Sequence, residues 1–182
     1  MDSLVFLDMD DVLCLDNVHH SGQMLKVIEQ NTPDYPELWK CLVDAGAAEN
    51  LRELHAEFKP FYVISSSWAT YLDRAQMCEA LTRTQLEFVV QNLHAEWRTP
   101  RARSSSRRDE IEWWLDAHRE PSQPFIILDD SYSGTDLAHS PLALDGHLIL
   151  CRIGYGFTKE RLKEARSQLL RQMGSSASPH LT

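Results

Sequence analysis

Short apolar runs separated by polar stretches dominate the hydrophobic pattern of this chain. Five runs have the length and the β-branched or aromatic content of buried strands: Leu4–Leu7, Phe61–Ile64, Leu86–Val90, Phe125–Leu128 and His147–Cys151. Between them, apolar residues recur at helical spacing. Strands that alternate with helices predict an α/β fold, a three-layer α/β/α sandwich around a central, mostly parallel five-stranded sheet with right-handed crossovers.

The predicted helices fill the intervals between these runs. Their expected ranges are Met24–Gln30, Glu37–Val43, Ala47–Phe58, Ala69–Leu81, Asp109–Ala117 and Lys159–Met173. The length of 182 residues favours one domain, over residues 1–173. The Gly/Ser/Pro-rich segment 174–182 predicts a disordered tail.

Polar clusters follow three of the predicted strands. These are Asp8 and Asp10, then Ser65, Ser66 and Ser67, then Asp129 and Asp130. Parallel strands bring their carboxyl ends to the same edge of a sheet, where open α/β sheets bind ligands. Crowded carboxylates require a cation or a shared proton, and carboxylate oxygens are ligands that Mg²⁺ accepts. A single Asp-x-Asp, taken alone, favours an ordinary strand followed by a solvated acidic turn, so the prediction depends on all three clusters.

The charge pattern adds a basic segment to this picture. The chain has a formal charge of -9, which opposes general attraction to nucleic acid or to anionic membranes. Residues 97–108 nevertheless hold five arginines and no acid, with Pro and Ser typical of a loop. We expect Arg98 to Arg103 at the rim of the site and either Arg107 or Arg108 within it, holding a phosphate. A solvated basic loop is the alternative.

The cysteine spacing and the hydropathy indicate the cellular compartment that we expect for this protein. Cys14, Cys41, Cys78 and Cys151 are widely spaced and form no zinc-type pattern, which favours free thiols in a reducing cytoplasm. No leader pattern opens the chain, and no apolar run approaches the ~20 residues that span a bilayer. The pair His19-His20 lacks a third ligand, so it favours an ordinary polar loop over a metal site.

Four motifs in order resemble the haloacid dehalogenase (HAD) superfamily of phosphohydrolases, and more narrowly the HAD domain of Swiss Army Knife RNA repair proteins. They are Asp8–Leu13 (DMDDVL), Ile64–Trp68 (ISSSW), Arg107–Leu115 (RRDEIEWWL) and Ile127–Asp130 (ILDD), with Gly156-Phe157-Thr158 as a further similarity. The resemblance covers about residues 4–173. It implies a Rossmannoid fold with a minimal or small helical cap, in which residues 14–59 form a loop and a small helical insert over the site.

The resemblance also implies roles for the polar residues. Asp8 would be the nucleophile that forms an aspartyl-phosphate, and Asp10 the general acid and base. Mg²⁺ would be held by Asp8, by Asp10 through its backbone carbonyl, and by Asp129 with Asp130 beside it. The expected phosphate-binding residues are Ser66 or Ser65 and Arg107 or Arg108; neither choice follows from the sequence.

Three functions are consistent with these features. The first is a Mg²⁺-dependent phosphatase acting on a phosphorylated substrate. The second is a phosphatase that processes RNA or DNA ends, with the end bound along the Arg98–Arg108 segment. The third is a non-catalytic binding or regulatory module on the same fold. The clustered carboxylates argue against the third, because a module without chemistry has no need of them.

Overall fold

A five-stranded, all-parallel sheet forms the centre of the protein. The computed structural model describes residues 2–15, 26, 39 and 41–176. The strands are β1 (Leu4–Leu7), β2 (Phe61–Ile64), β3 (Leu93–Arg98), β4 (Phe125–Asp130) and β5 (Leu148–Cys151). They lie in the order β3-β2-β1-β4-β5, and every neighbouring pair is parallel. The predicted α/β fold with a central five-stranded parallel sheet is confirmed.

Both faces of the sheet are covered, which explains why the central strands are continuously apolar. All four residues of β1 are fully buried. Val5 and Leu7 belong to the core on one face, whereas Leu4 and Phe6 belong to the core on the other. Side chains alternate between the faces of a strand, so a strand buried on both sides has no polar positions.

The helices form the two outer layers. They are α1 (Ala45–Phe58), α2 (Trp68–Tyr71), α3 (Arg74–Arg83), α4 (Glu87–Gln91), α5 (Arg107–His118), α6 (Pro141–Leu144) and α7 (Lys159–Ser176). Leu51 of α1, Met77 of α3 and Leu162 of α7 pack into one core. Ile111 and Trp114 of α5 pack into the other. The sheet is therefore sandwiched between helices, as predicted.

The prediction of a strand at Leu86–Val90 is wrong. This segment forms α4, and Leu86 and Val89 are buried at the three-residue spacing of a helix face. The third strand is Leu93–Arg98, which pairs only with β2 at the edge of the sheet. Most of its residues are exposed or half-buried. An edge strand of this kind lacks the apolar run that identifies a buried strand.

Several predicted boundaries also change, three of them with consequences for the fold. The expected helix Ala69–Leu81 is divided into α2 and α3, because Asp73 and Gln76 form a capping box that starts a new helix. The basic segment 97–108 is a loop only between β3 and α5. Helix α7 continues to Ser176, so the predicted disordered tail is wrong for residues 174–176.

Some predictions fall on other parts of the chain. The pair His19-His20, the predicted helix Met24–Gln30 apart from Lys26, and residues 177–182 lie outside the described residues. The same holds for residues 37, 38 and 40 of the predicted helix Glu37–Val43. Most of the expected cap in residues 14–59 before α1 lies there too. Among residues 2–15, 26, 39 and 41–176, no helix is long and apolar enough to cross a membrane.

Candidate active site

The acidic residues meet at the point where the sheet reverses its strand order. The chain proceeds outward from β1 to β2 and β3, then returns to β4 on the other side of β1. This β1/β4 switch point is where open α/β sheets bind ligands. Leu7 pairs with Leu128, and the Asp8 N–H donates to the Leu128 carbonyl at 3.0 Å. Asp8 therefore lies beside Asp129 at the carboxyl edge.

A tight turn follows Asp8 and returns the chain over the end of β1. The N–H groups of Leu13 and Cys14 both donate to the Met9 carbonyl, at 3.0 and 2.8 Å. Asp11 adopts a positive φ of 55°, and its Oδ1 accepts from the Gly154 N–H at 2.8 Å. A small polar residue tolerates this left-handed conformation better than a branched one. The turn thereby holds Asp10 near Asp8.

The Asp10 carboxylate is oriented by the segment after β2. Trp68 donates from Nε1 to Asp10 Oδ1 at 3.1 Å. The Ser67 hydroxyl lies 3.4 Å from Asp10 Oδ2 in hydrogen-bonding geometry. Trp68 is fully buried, so its ring is fixed and its N–H sets the direction of the carboxylate. The sequence places Ser67 in the serine cluster without assigning it a role, and it does not predict the contact of Trp68 with Asp10.

Three buried carboxylates lie close enough to share a cation. One oxygen each of Asp8, Asp129 and Asp130 lies within 4.8 Å of the others. Asp130 Oδ1 accepts from the N–H groups of Tyr132 and Ser133, at 2.6 and 3.0 Å, which orients its carboxylate. Asp129 Oδ1 accepts from the Asp130 N–H at 2.9 Å. Asp129 Oδ2 is buried and accepts no hydrogen bond within the described part of the chain.

Arg107 is held against these acids by the start of α5. Ser106 caps this helix in a capping box with Asp109, which places Arg107 at its first position. The guanidinium lies 3.1 Å from Asp129 Oδ2 through Nε, 3.4 Å from Asp8 Oδ1 through Nη2 and 3.5 Å from Ser65 Oγ through Nη1. The Nε contact is an ion pair without the alignment of a hydrogen bond.

Arg107 and Arg108 have different surroundings, although either could have been the site residue. The Arg107 side chain is 11% exposed, and its guanidinium contacts Asp8 and Asp129. The Arg108 side chain is 41% exposed and pairs with Glu112 at 2.8 Å. The geometry therefore brings Arg107 into the site and leaves Arg108 outside it.

Ser65 and Ser66 are both buried beside the acids. Ser65 approaches Arg107, and Ser66 hydrogen bonds to Asp8, which lowers the pKa of that carboxyl. Both candidates thus lie at the site, and the choice of phosphate-binding serine stays a prediction.

The electrostatics show that one arginine does not balance these acids. Burial raises the pKa of Asp8 to about 7, against the opposing effects of Arg107 and Ser66. Burial and the neighbouring charge of Asp8 raise the pKa of Asp129 well above its usual range. Burial lowers the pKa of Arg107, but the surrounding carboxylates outweigh it, so the guanidinium stays charged. Burial and mutual repulsion therefore make it costly for these carboxylates to ionise with Arg107 alone beside them.

The donor set fits a hard divalent cation. All three residues offer carboxylate oxygens, which Mg²⁺ prefers, and Asp129 Oδ2 is an acceptor without a hydrogen bond from any described residue. A bound cation would satisfy that oxygen and neutralise the excess charge. Asp10 is not part of this three-carboxylate cluster, so any contribution it makes to a cation would come from its backbone carbonyl.

A cavity of about 240 Å³ opens onto these residues. Its walls are Asp8, Asp10, Ser67, Arg101, Ser105, Arg107, Glu110 and Ser133. Sequence reasoning missed Ser105, Glu110 and Ser133. Glu110 follows the basic segment in the first turn of α5, a common place for a solvated acid, but its side chain is only 6% exposed.

The fold and the site together define a Rossmann-like α/β protein with an acidic, oxygen-ligand site at the topological switch point. The family model described as the HAD domain in Swiss Army Knife RNA repair proteins matches residues 4–162. The chain belongs to this family, which confirms the resemblance seen in its motifs. No curated protein and no solved structure shows significant similarity to the chain.

Proposed function

We propose that this protein is a Mg²⁺-dependent phosphomonoesterase that acts through an aspartyl-phosphate on Asp8. The observation that carries the proposal is the buried group of Asp8, Asp129 and Asp130 with Arg107 against it at the β1/β4 switch point. Such a site offers a nucleophile, a place for a cation and a fixed guanidinium within one cavity. Membership of the HAD family supports the same chemistry.

The residues that would hold Mg²⁺ are Asp8, Asp129, Asp130 and the backbone carbonyl of Asp10. When bound, the ion would neutralise negative charge on the phosphate and polarise a phosphoryl oxygen. This neutralisation permits an anionic carboxylate to approach an anionic substrate.

In the first step, a carboxylate oxygen of Asp8 attacks phosphorus and forms an acyl phosphate, while the bond from phosphorus to the leaving oxygen breaks. Asp10 donates its proton to that leaving oxygen, which departs as an alcohol. Arg107 and Ser66, or Ser65 in its place, hold the phosphoryl oxygens. Arg107 suits this role because its planar guanidinium matches the oxygens of a phosphate.

In the second step, water attacks phosphorus and the bond to Asp8 breaks. Asp10, now ionised, takes a proton from that water, so the acid of the first step is the base of the second. Asp8 is released as a carboxylate and inorganic phosphate leaves. The hydrogen bonds from Trp68 and Ser67 hold Asp10 in one orientation for both transfers.

The test is phosphate release from a generic aryl phosphate, with Mg²⁺ and with EDTA. We expect release that requires Mg²⁺, is abolished in Asp8→Asn, and falls by about 10²–10⁴-fold in Asp10→Asn. Arg107→Ala lowers kcat/KM by about 10²–10³-fold, as expected when one charged donor to the transferring group is lost. Arg108→Ala is the matched control and keeps wild-type activity.

Two outcomes would contradict this proposal. Equal inactivity of wild type and Asp8→Asn across a broad panel of phosphate esters would favour the non-catalytic module. Equal loss in Arg107→Ala and Arg108→Ala would remove the proposed role of Arg107.

A second candidate is narrower and concerns the substrate. We propose that the phosphate is carried on a nucleic-acid end, because the family is described from RNA repair proteins and Arg98 and Arg101 lie next to the site. Binding of 5′- or 3′-phosphorylated RNA to Asp8→Asn should weaken steeply with salt. No binding at low salt, despite hydrolysis of the aryl phosphate, would remove this candidate and leave the first in place.

A further inference from the structure

A second cavity adjoins the one that contains the acids. Its volume is about 290 Å³, and its walls are Ser66, Ala69, Thr70, Arg98, Thr99, Pro100, Arg101 and Glu110. Arg101 and Glu110 line both cavities. Ser66 lines this second cavity and also hydrogen bonds to Asp8. The two spaces therefore meet beside the reacting carboxylate.

We infer that this second cavity is an anion subsite that binds another phosphoryl group of the same substrate. This inference rests on the proposed phosphatase activity and specifies its substrate class: a molecule with two phosphoryl groups, of which one is hydrolysed. The subsite contributes affinity and position but no chemistry.

The wall chemistry is that of a phosphate site. Arg101 Nη1 donates to the Thr70 hydroxyl at 2.8 Å, so its guanidinium is held at the cavity. Arg98 Nη1 donates to the Ala69 carbonyl at 2.7 Å, and its guanidinium lies 5.2 Å from the centre of the Trp97 ring. Two cations with their positions set by neighbouring groups can bind a phosphate with little loss of side-chain freedom.

Glu110 lines both cavities. It is buried, and its Oε1 accepts from the Ser105 hydroxyl at 2.7 Å. Arg101 Nε lies 3.8 Å from the same oxygen, a long contact for an ion pair. Because this pair is long and Arg101 is half-exposed, Glu110 neutralises little of its charge, and the guanidinium held by Thr70 stays available to an incoming phosphate. The Glu110 carboxylate repels an anion placed between the cavities, so the two phosphoryl groups must lie on either side of it.

Two kinds of molecule carry this chemistry. One is a nucleoside bisphosphate, with two phosphomonoesters on one sugar. The other is an oligonucleotide with a terminal phosphate, whose first phosphodiester supplies the second anion. Both present a second phosphoryl group near the one that reacts, and the experiment below distinguishes them.

The experiment is calorimetric binding to Asp8→Asn in the presence of Mg²⁺, so that no turnover occurs. The probes are adenosine 5′-monophosphate, adenosine 3′,5′-bisphosphate and a 5′-phosphorylated dinucleotide. Because the second phosphoryl group would make a charge-assisted contact, a probe that carries it should bind about ten- to hundred-fold more tightly than the monophosphate. This ratio of affinities is the advantage of the second phosphoryl group. An advantage for the bisphosphate alone indicates a small-molecule substrate; an advantage for the dinucleotide indicates a nucleic-acid end.

Further variants in the same Asp8→Asn background test which residue provides the affinity advantage. Arg101→Ala should remove most of the advantage, and Arg101→Lys should keep part of it, because a lysine retains the charge but loses the paired donors. Arg103→Ala is the matched control: Arg103 is exposed on the same loop, lines neither cavity and should leave the advantage unchanged.

These experiments distinguish a failure of the proposed subsite from a failure of the proposed phosphatase function. Equal affinity for all three probes, or an advantage that Arg101→Ala leaves intact, overturns the subsite whether or not the protein is a phosphatase. Absence of Mg²⁺-dependent phosphate release from the aryl phosphate overturns the proposed function, while the binding ratio still decides whether the second cavity takes a phosphoryl group.

Discussion

Asp8→Asn should stabilise the metal-free protein at alkaline pH, although it removes the proposed nucleophile. Asp8 is buried next to two other acids, and its pKa rises to about 7 from the reference value of 3.8. Each pKa unit corresponds to about 1.4 kcal/mol, so ionising Asp8 in the folded state costs about 4 kcal/mol. Asparagine has nearly the same shape and carries no charge. Arg107 retains Asp129 as a partner in this variant.

The pH dependence follows from the direction of the pKa change. A carboxyl with a raised pKa in the folded state contributes its stability fully below its unfolded pKa and loses it as pH rises through the folded pKa. The wild-type protein should therefore lose stability between about pH 4 and pH 7 in EDTA. The difference in unfolding free energy, variant minus wild type, should be about 4 kcal/mol at pH 8 and roughly 2 kcal/mol at pH 5.

Urea unfolding in EDTA at both pH values measures this difference. Asp116→Asn is the matched control, because Asp116 is exposed on α5 and the same change there should stay within about 0.5 kcal/mol. Saturating Mg²⁺ should reverse the order, since it binds the folded wild type and stabilises it by mass action. An Asp8→Asn variant no more stable than wild type at pH 8 in EDTA would refute the reasoning about buried charge.

Three further predictions concern the groups around Asp8. Asp129→Asn should weaken Mg²⁺ binding by at least about tenfold in calorimetry; unchanged affinity would exclude Asp129 as a ligand. Gly134→Ala should lower the unfolding free energy by about 1–3 kcal/mol in urea, because a Cβ there would lie 2.9 Å from the Asp130 carbonyl; unchanged stability would contradict the close packing. Trp68→Phe removes the hydrogen bond to Asp10 and should lower kcat about tenfold with little change in KM; an unchanged kcat would show that Asp10 is oriented by other groups.

The central strands were predictable because a strand that is buried on both faces is a continuous apolar run in the sequence. β1 and β4 are continuous apolar runs that end in acids, so their place in the sheet and the meeting of Asp8 with Asp129 could both be inferred. The edge strand β3 has no such apolar run, since all of its residues after Leu93 are exposed or half-buried. The neighbouring apolar run Leu86–Val90 predicts a strand but forms α4, because a short apolar run does not distinguish a strand from a helix.

The sequence predicts those site residues that lie at the ends of strands. It does not predict those whose position depends on tertiary packing. Asp8, Ser66 and Asp129 each follow or end a strand. The choice between Arg107 and Arg108 depends on the rotation of α5, which the Ser106 cap sets. Glu110 lies one turn from that cap, and its burial beside Arg101 arises from tertiary contacts that no local pattern records.

The identity of the nucleophile can be tested most directly by trapping the acyl phosphate. Asp10→Asn lacks the base for the second step. An aryl leaving group departs as a phenolate without the proton of Asp10, so the first step proceeds and the intermediate should accumulate when this variant meets an aryl phosphate and Mg²⁺. Borohydride reduces an aspartyl-phosphate to homoserine, which peptide mass spectrometry locates. We predict homoserine at position 8, dependent on both substrate and Mg²⁺. Unmodified Asp8 with wild-type protein that still releases phosphate, or modification at another residue, would contradict the account.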